Sequence, residues 1–200
     1  IRMEMGVPGL APSRIGTEAE IEALKHGVAQ FYPMLEGYPV LSEEASRFVK
    51  NFMDVDIRPE GIIPTVGAMQ ASYVAFMALT ECHKGKDTIL FIDPGFPVQK
   101  TQLEVIGKPY QTFDIYEYRE EKLEAKLREY LDRGNIAGIV YSNPNNPSWV
   151  CLTDFELQVI GKLATEYDTI ILEDLAYFAM DFRKDLSHPG KAPFQPTVAK

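Results

Sequence analysis

The chain has 200 residues, which suits one domain of good size, and its 46% hydrophobic content is ordinary for a globular protein. A formal net charge of −9 argues against a nucleic-acid backbone as a partner. The two cysteines, Cys82 and Cys151, lie far apart and outside any metal-binding spacing. We therefore expect no disulfide framework, no metal site and a reducing, cytoplasmic location. No apolar run is long enough to span a bilayer, so no membrane partner is expected.

Helical spacing of apolar residues alternates with short apolar runs along the chain. Residues 17–32 are predicted to form a helix opened by a capping box, Thr17 and Glu20, and residues 41–54 a second helix. The later elements are a strand over 61–66, a helix from 67, a strand over 88–93 with a helix after it, a weaker strand over 109–114, an amphipathic helix from 117, a strand over 137–142, a helix from 153 with a capping box at Thr153 and Glu156, and a strand over 169–174.

This order predicts an α/β fold with three layers. Strands that are continuously apolar and separated by helices indicate a mostly parallel sheet with helices on both faces. Both ends of the sequence break off: the start has no initiator methionine and the phrase PFQPTVAK ends without a helix or a tail. We expect the chain to be a fragment of a larger protein.

Ligands in open parallel sheets bind beyond the carboxyl ends of the strands, so the residues that follow each strand are the candidates for a site. Four such segments have unusual composition. They are Gly67-Ala68-Met69, Pro94-Gly95-Phe96, the asparagine and proline run from Asn143 to Pro147, and the segment from Asp174 to Tyr177.

Two of these segments suggest contacts with a flat, anionic ligand. Gly67 opens a helix, and free N–H groups at a helix start bind phosphate or carboxylate, although an ordinary tight turn also explains one glycine. Phe96 lies between two prolines after its strand. It suits either the core or the stacking of an aromatic ligand.

The other two segments carry polar groups. In YSNPNNPSWV, Pro144 and Pro147 restrict the backbone around the asparagines, which fits a surface turn as well as a site. Asn146 can donate a hydrogen bond to a ligand oxygen. Asp174 is a carboxylate at the rim of a buried strand and requires a partner, for which a protonated ring nitrogen is suitable. Tyr177 adds a phenol nearby.

An anion anchor, a stacking aromatic ring, a donor to a ring oxygen and a carboxylate for a ring nitrogen together match the parts of pyridoxal 5′-phosphate. Over nearly its whole length the sequence resembles the class I/II aminotransferases, which are fold-type I pyridoxal-phosphate enzymes. The phrases that carry the resemblance are MGVPGL, YPMLEG, TVGAMQA, DPGFP, NPNNP and EDLAY.

The resemblance implies a role for each matching residue. Gly6 would lie near the substrate carboxylate, and Tyr32 would reach the cofactor phosphate of the neighbouring subunit in a homodimer. The residues implied to bind the cofactor within the subunit are Gly67, Ala68 and Met69 at the phosphate, Phe96 on the ring face, Asn146 and Tyr177 at the phenolic oxygen, and Asp174 at the pyridine nitrogen. Asp174 and Tyr177 are also the implied catalytic residues.

The sequence departs from the family's pattern at three places. Ser148 and Trp149 stand where the family usually has Thr-Gly, so we expect that loop to differ in shape. Gly9 replaces a usual aspartate. The lysine that forms the Schiff base with the cofactor is absent, and Lys200, without the usual serine-rich surroundings, is predicted to be a surface lysine.

The resemblance implies an enzyme, a pyridoxal-phosphate-dependent aminotransferase that moves an amino group between an amino acid and a 2-keto acid. Residues 1–40 would contribute to the active site and the dimer contact, and residues 41–200 would form the incomplete cofactor-binding large domain. Two alternatives remain open at this point. One is another reaction on the same cofactor, such as a β-lyase or a synthase step, and the other is a non-catalytic, ligand-sensing module.

Overall fold

The computed structural model describes residues 9–200, and the chain divides into two compact units after Tyr38. The first unit contains one α-helix, α1 (Arg14–Lys25), followed by a 3-10 turn at Val28–Gln30. The predicted helix start at Thr17 is wrong, because the side chain of Ser13 caps the helix by accepting a hydrogen bond from the Gly16 N–H.

The second unit holds the sheet and the remaining helices. In chain order its elements are α2 (Pro39–Met53), α3 (Gly67–Cys82), β1 (Thr88–Asp93), α4 (Pro97–Val105), β2 (Tyr110–Asp114), α5 (Glu121–Leu131), β3 (Ile136–Ser142), α6 (Asp154–Glu166) and β4 (Ile170–Asp174). Across residues 9–200, no helix combines the length and the apolar character that crossing a membrane requires.

The strand predicted over 61–66 is wrong. A 3-10 turn at Pro59–Gly61 precedes an extended but unpaired segment that leads directly into α3. Pro64 has no N–H to donate to a neighbouring strand, and the side chains of Ile63 and Val66 are exposed. The apolar run that suggested a strand is therefore not part of the core.

The four strands form one sheet in the order β2-β1-β3-β4, and every neighbouring pair is parallel. Alternate residues of each strand face opposite layers. Ile89, Phe91 and Val140 pack with α3 and α4, whereas Leu90, Ile92 and Ile139 pack with α5 and α6. The predicted three-layer α/β fold with a parallel sheet is confirmed.

The strand order reverses between β1 and β3. The chain leaves β1 through α4 toward β2 at one edge, and it leaves β3 through α6 toward β4 at the other edge. The loops after β1 and β3 meet at this switch point, where the Asn145 side-chain N–H donates to the Pro94 carbonyl at 2.6 Å. Open α/β sheets bind ligands in the crevice at such a point.

The loop before α5 is fixed to the start of α6 by one buried ion pair. The Arg119 guanidinium donates to both carboxylate oxygens of Glu156, at 2.5 and 2.7 Å, and the Glu156 side chain is fully buried. The backbone N–H groups of Glu120 and Thr153 complete its hydrogen bonding, and the predicted capping box of Thr153 and Glu156 is present.

Replacing Arg119 with methionine leaves the Glu156 carboxylate buried without its cation. We expect Arg119→Met to lower the free energy of unfolding at neutral pH by about 3–5 kcal/mol. Arg47→Met, which breaks the exposed pair with Glu44 on α2, is the matched control and is expected to cost at most about 1 kcal/mol. Urea titration of both variants measures the difference, and equal costs would contradict the structural role of Arg119.

The ion pair between Arg119 and Glu156 also makes the stability of the fold depend on pH. Burial opposes the charge on Glu156, but the hydrogen bonds from Arg119 and from two backbone N–H groups outweigh it, so its pKa lies below the usual value. A carboxyl group whose pKa is lower in the folded state stabilises the fold at pH values above its unfolded pKa of about 4.3. This contribution is lost as the pH falls through the pKa of the folded state. Unfolding free energies measured from pH 7 to pH 3 should therefore fall less steeply for Glu156→Gln than for the wild type.

Candidate active site

A pocket of about 330 Å³ lies at the carboxyl edge of the sheet, beside the switch point. This volume is within the range of about 300–1,000 Å³ that is usual for small-molecule sites. The residues that line the pocket are Ala68, Met69, Ser72, Phe96, Val98, Gln99, Gln102, Ser142, Asn146, Asp174, Ala176 and Tyr177. Six predicted cofactor-binding residues are among them, drawn from four separate segments of the chain.

Asp174 ends β4, on the face of the sheet that packs against α3 and α4. Alternation from Leu172 places its side chain on this face, where Oδ2 accepts a hydrogen bond from the Gln99 side-chain N–H at 2.9 Å. Its Oδ1 accepts from the Ala176 N–H at 3.0 Å. The carboxylate is therefore oriented by donors from α4 and from its own turn.

The preceding carboxyl group, Glu173, faces the opposite layer. Its oxygens accept hydrogen bonds from the hydroxyls of Tyr141, at 3.2 Å, and Thr197, at 2.5 Å. Burial raises the pKa of Glu173, and these hydrogen bonds only partly compensate. Of the two adjacent carboxyl groups, only Asp174 lines the pocket.

The three asparagines after β3 have different surroundings. Asn143 is 1% exposed, and its side-chain oxygen accepts a hydrogen bond from the Leu152 N–H at 3.1 Å. Asn145 is 5% exposed and binds the Pro94 carbonyl and the Ser142 hydroxyl. Within residues 9–200, the side chain of Asn146 has no hydrogen-bond partner, and it lines the pocket. Asn143 and Asn145 thus hold the loop, and Asn146 is available to a ligand.

The first turn of α3 presents backbone donors to the pocket. Gly67 has a φ of 74°, which glycine adopts without strain, and its own N–H donates to the Thr65 carbonyl at 2.9 Å. The N–H groups of Ala68 and Met69 have no partner within the described residues, as is usual for the start of a helix. Gly67 shapes this turn, whereas Ala68 and Met69 supply the donors.

Two aromatic residues face the same pocket. Phe96 is the N-cap residue of α4 and is followed by Pro97, whose fixed φ suits the first helical position. The ring of Tyr177 meets the edge of Trp149 at a centroid distance of 5.3 Å, and its hydroxyl has no partner in the part of the chain described. The phenol is therefore held by packing and remains free to donate.

Gly67, which was predicted to bind the cofactor, is not among the residues that line this pocket. Gly6 lies outside the described residues, and Tyr32 belongs to the first unit, where its side chain is fully exposed. The Lys200 ammonium pairs with Asp54 at 3.3 Å and lies over the Phe194 ring, as expected for a surface lysine. A larger groove of about 610 Å³ runs between α6 and residues 193–200, but none of the predicted site residues lines it.

Sequence reasoning missed four polar residues of the pocket. They are Ser72, Gln99, Gln102 and Ser142. Helical spacing was the available signal for two of them, because Gln99 and Gln102 follow Phe96 at intervals of three residues and share its face of α4. Ser142 was indicated by strand alternation, since it lies two residues after Val140 on the same face of β3.

Comparison with known proteins identifies the family of the chain. Residues 5–191 match the family model described as "Aminotransferase class I and II". The aspartate aminotransferase of Pyrococcus horikoshii is 29% identical over 98% of this chain and 49% of its own length. The aromatic-amino-acid aminotransferase 2 of Thermococcus litoralis is 28% identical over 94% of this chain and 48% of its own length.

A solved structure shows the same fold. The alanine aminotransferase from Pyrococcus furiosus superposes with a TM-score of 0.74 at 26% identity, covering 86% of this chain and 43% of that one. The fold is that of an aminotransferase, and the chain belongs to the class I and II aminotransferase family. It spans about half the length of the curated relatives that it matches.

The contrast between the loop asparagines can be measured by substitution. Asn143→Ala leaves the buried Leu152 N–H without an acceptor, and we expect it to lower the free energy of unfolding by about 1–3 kcal/mol. Asn146→Ala removes no internal hydrogen bond and should change the free energy by less than about 0.5 kcal/mol. Urea titrations without added ligand test this. An equal loss of unfolding free energy in both variants would contradict the assignment of a structural role to Asn143 and not to Asn146.

Proposed function

We propose that the full-length protein is a pyridoxal-phosphate-dependent aminotransferase, which moves an amino group between an amino acid and a 2-keto acid. One observation carries the proposal. Ala68, Met69, Phe96, Asn146, Asp174 and Tyr177, the residues to which the family resemblance gives cofactor contacts, line a single pocket. The family match over residues 5–191 favours transamination over a lyase, a synthase or a sensing module.

The chemistry of the pocket fits the cofactor. Free N–H groups at the start of a helix suit a phosphate, and the face of Phe96 suits an aromatic ring. Asn146 and Tyr177 have no side-chain hydrogen-bond partner among residues 9–200 and offer donors for a phenolic oxygen. Asp174 offers a carboxylate held by two hydrogen bonds, which suits a protonated ring nitrogen.

When bound, the cofactor supplies an electron sink for the carbon that loses its proton. In the proposed roles, Asp174 keeps a proton on the ring nitrogen, Phe96 holds the ring plane, and the α3 turn anchors the phosphate. The lysine and the arginine that the family uses for the cofactor aldehyde and the substrate carboxylate would come from the rest of the protein. The substrates would be an amino acid and a 2-keto acid, in the cytoplasm.

The proposal is tested on the full-length protein. We expect it to bind pyridoxal 5′-phosphate, to become yellow, and to retain the cofactor on one lysine after borohydride reduction. Asp174→Ala should slow transamination about a hundredfold, which corresponds to roughly 3 kcal/mol in the barrier. The matched control is Asp56→Ala, a highly exposed aspartate, which should keep wild-type activity. A protein that cannot be reconstituted with the cofactor would refute the proposal.

The proposed assembly is a homodimer in which residues 1–40 contribute to the active site of the partner. The first unit supports this, since α1 has no buried residue and leaves Ile15, Ile21 and Leu24 exposed. Tyr32 is fully exposed as well. In the proposed dimer its phenol donates to the cofactor phosphate of the other subunit.

Subunit exchange tests the role of Tyr32. A hydrogen bond to a charged group contributes about 1.5–3 kcal/mol, so Tyr32→Phe should weaken cofactor retention about ten- to a hundredfold. When the variants Tyr32→Phe and Asp174→Ala are mixed, one site of each mixed dimer has both residues intact. We expect partial recovery of activity, and no recovery after confirmed exchange would exclude action in trans.

A further inference from the structure

Helix α4 contacts both ends of the pocket through two glutamines that are one turn apart. The Gln99 side-chain N–H donates to Asp174 Oδ2 at 2.9 Å. The Gln102 side-chain N–H donates to the Met69 carbonyl, in the first turn of α3, at 2.8 Å. Residues three apart share a helix face and are separated by about 4.5 Å along the axis. One rigid element therefore connects the carboxylate of the pocket to its backbone donors.

The contact with α3 is a closed triangle of hydrogen bonds. Ser72, which is buried, shares its single hydroxyl proton between the Gln102 side-chain oxygen at 2.8 Å and the Met69 carbonyl at 3.1 Å. A carbonyl can only accept, so the Gln102 amide must turn its N–H₂ group toward Met69 and its oxygen toward Ser72. The orientation of Gln102 is thus fixed by its partners, and α3 cannot move relative to α4 without breaking these bonds.

The contact with Asp174 is equally constrained. Gln99 is 6% exposed, and a carboxylate accepts but does not donate, so the Gln99 N–H₂ group must face it. The backbone of Asp174 is held in the sheet, because its carbonyl accepts a hydrogen bond from the Asn143 N–H at 3.1 Å. The Gln99 bond sets the direction of the carboxylate relative to α4.

We propose that Gln99 and Gln102 are positioning residues that together set the separation between Asp174 and the anion-binding first turn of α3. This inference rests on the proposed function, since it assigns those two ends to one cofactor. A ligand that contacts both ends binds more tightly when their separation is fixed. The reason is that contact at one end then orients the ligand for contact at the other. Replacing either glutamine should weaken ligand contact at its own end of the pocket. It should also weaken the binding of a ligand that contacts both ends.

The test uses full-length protein freed of cofactor, with three probes and no activity measurement. Pyridoxal 5′-phosphate contacts both ends, pyridoxal lacks the phosphate, and inorganic phosphate lacks the ring. Any covalent contribution is common to the two aldehydes and cancels in their comparison. Dissociation constants are measured by equilibrium titration for the wild type, Gln99→Met, Gln102→Met and the control Gln158→Met, which replaces an exposed glutamine on α6.

We expect each α4 variant to lose affinity for a different probe. Gln102→Met should bind inorganic phosphate and pyridoxal 5′-phosphate about three- to tenfold more weakly, with pyridoxal unchanged. Gln99→Met should bind pyridoxal and pyridoxal 5′-phosphate more weakly by a similar factor, with inorganic phosphate unchanged. Gln158→Met should match the wild type for all three probes.

A second pair of uncharged variants keeps the test decisive if methionine prevents folding. Gln99→Leu and Gln102→Leu remove the amide donor without adding a charge, so the same pattern of probes is expected. Variants that bind all three probes as the wild type does, or that lose all three equally, would overturn the positioning role. A wild type that binds neither aldehyde would instead refute the proposed function, and this inference with it.

Discussion

The parallel register of β3 and β4 pairs Ser142 with Asp174, and one further hydrogen bond extends it, from the Asn143 N–H to the Asp174 carbonyl. Because a shift by one residue would turn every side chain to the opposite face, this register decides which carboxyl group lines the pocket. Asp174 faces α4, and Glu173 is left among the buried hydroxyls of the other layer. The site therefore depends on backbone pairing before it depends on any side chain.

The pocket combines polar groups that are satisfied internally with polar groups that are not. Asn143, Asn145 and Ser72 are buried and hydrogen-bonded, and losing their bonds would leave buried groups without partners. Asn146 and Tyr177 have side chains without partners in the described residues, and both line the pocket. Under the proposed function, stability and ligand binding rest on different members of the same short segments, which accounts for the three asparagines of one loop.

The sequence predicted the sheet well because its strands are apolar on both faces and are followed by unusual turns. It failed at 61–66, where an apolar run is exposed and a proline prevents pairing, since burial is a tertiary property that composition does not report. It failed at Thr17, because Ser13 was an equally good cap four residues earlier. Gln99 was missed for a related reason, as its role depends on a partner 75 positions away.

Trp149 shows how the loop tolerates a departure from the family phrase. Its φ of 59° lies in the left-handed region, which glycine, the usual family residue here, adopts freely and which costs another residue about 1–3 kcal/mol. The indole stacks on Phe182 at 6.3 Å and meets the Tyr177 ring at 5.3 Å, and each aromatic pair contributes about 0.5–1.5 kcal/mol. The free energy gained from these aromatic contacts is similar in size to the backbone strain at Trp149. One of the two contacts is with Tyr177, which lines the pocket. A side chain in place of glycine thus offsets its own backbone cost by holding Tyr177 in place.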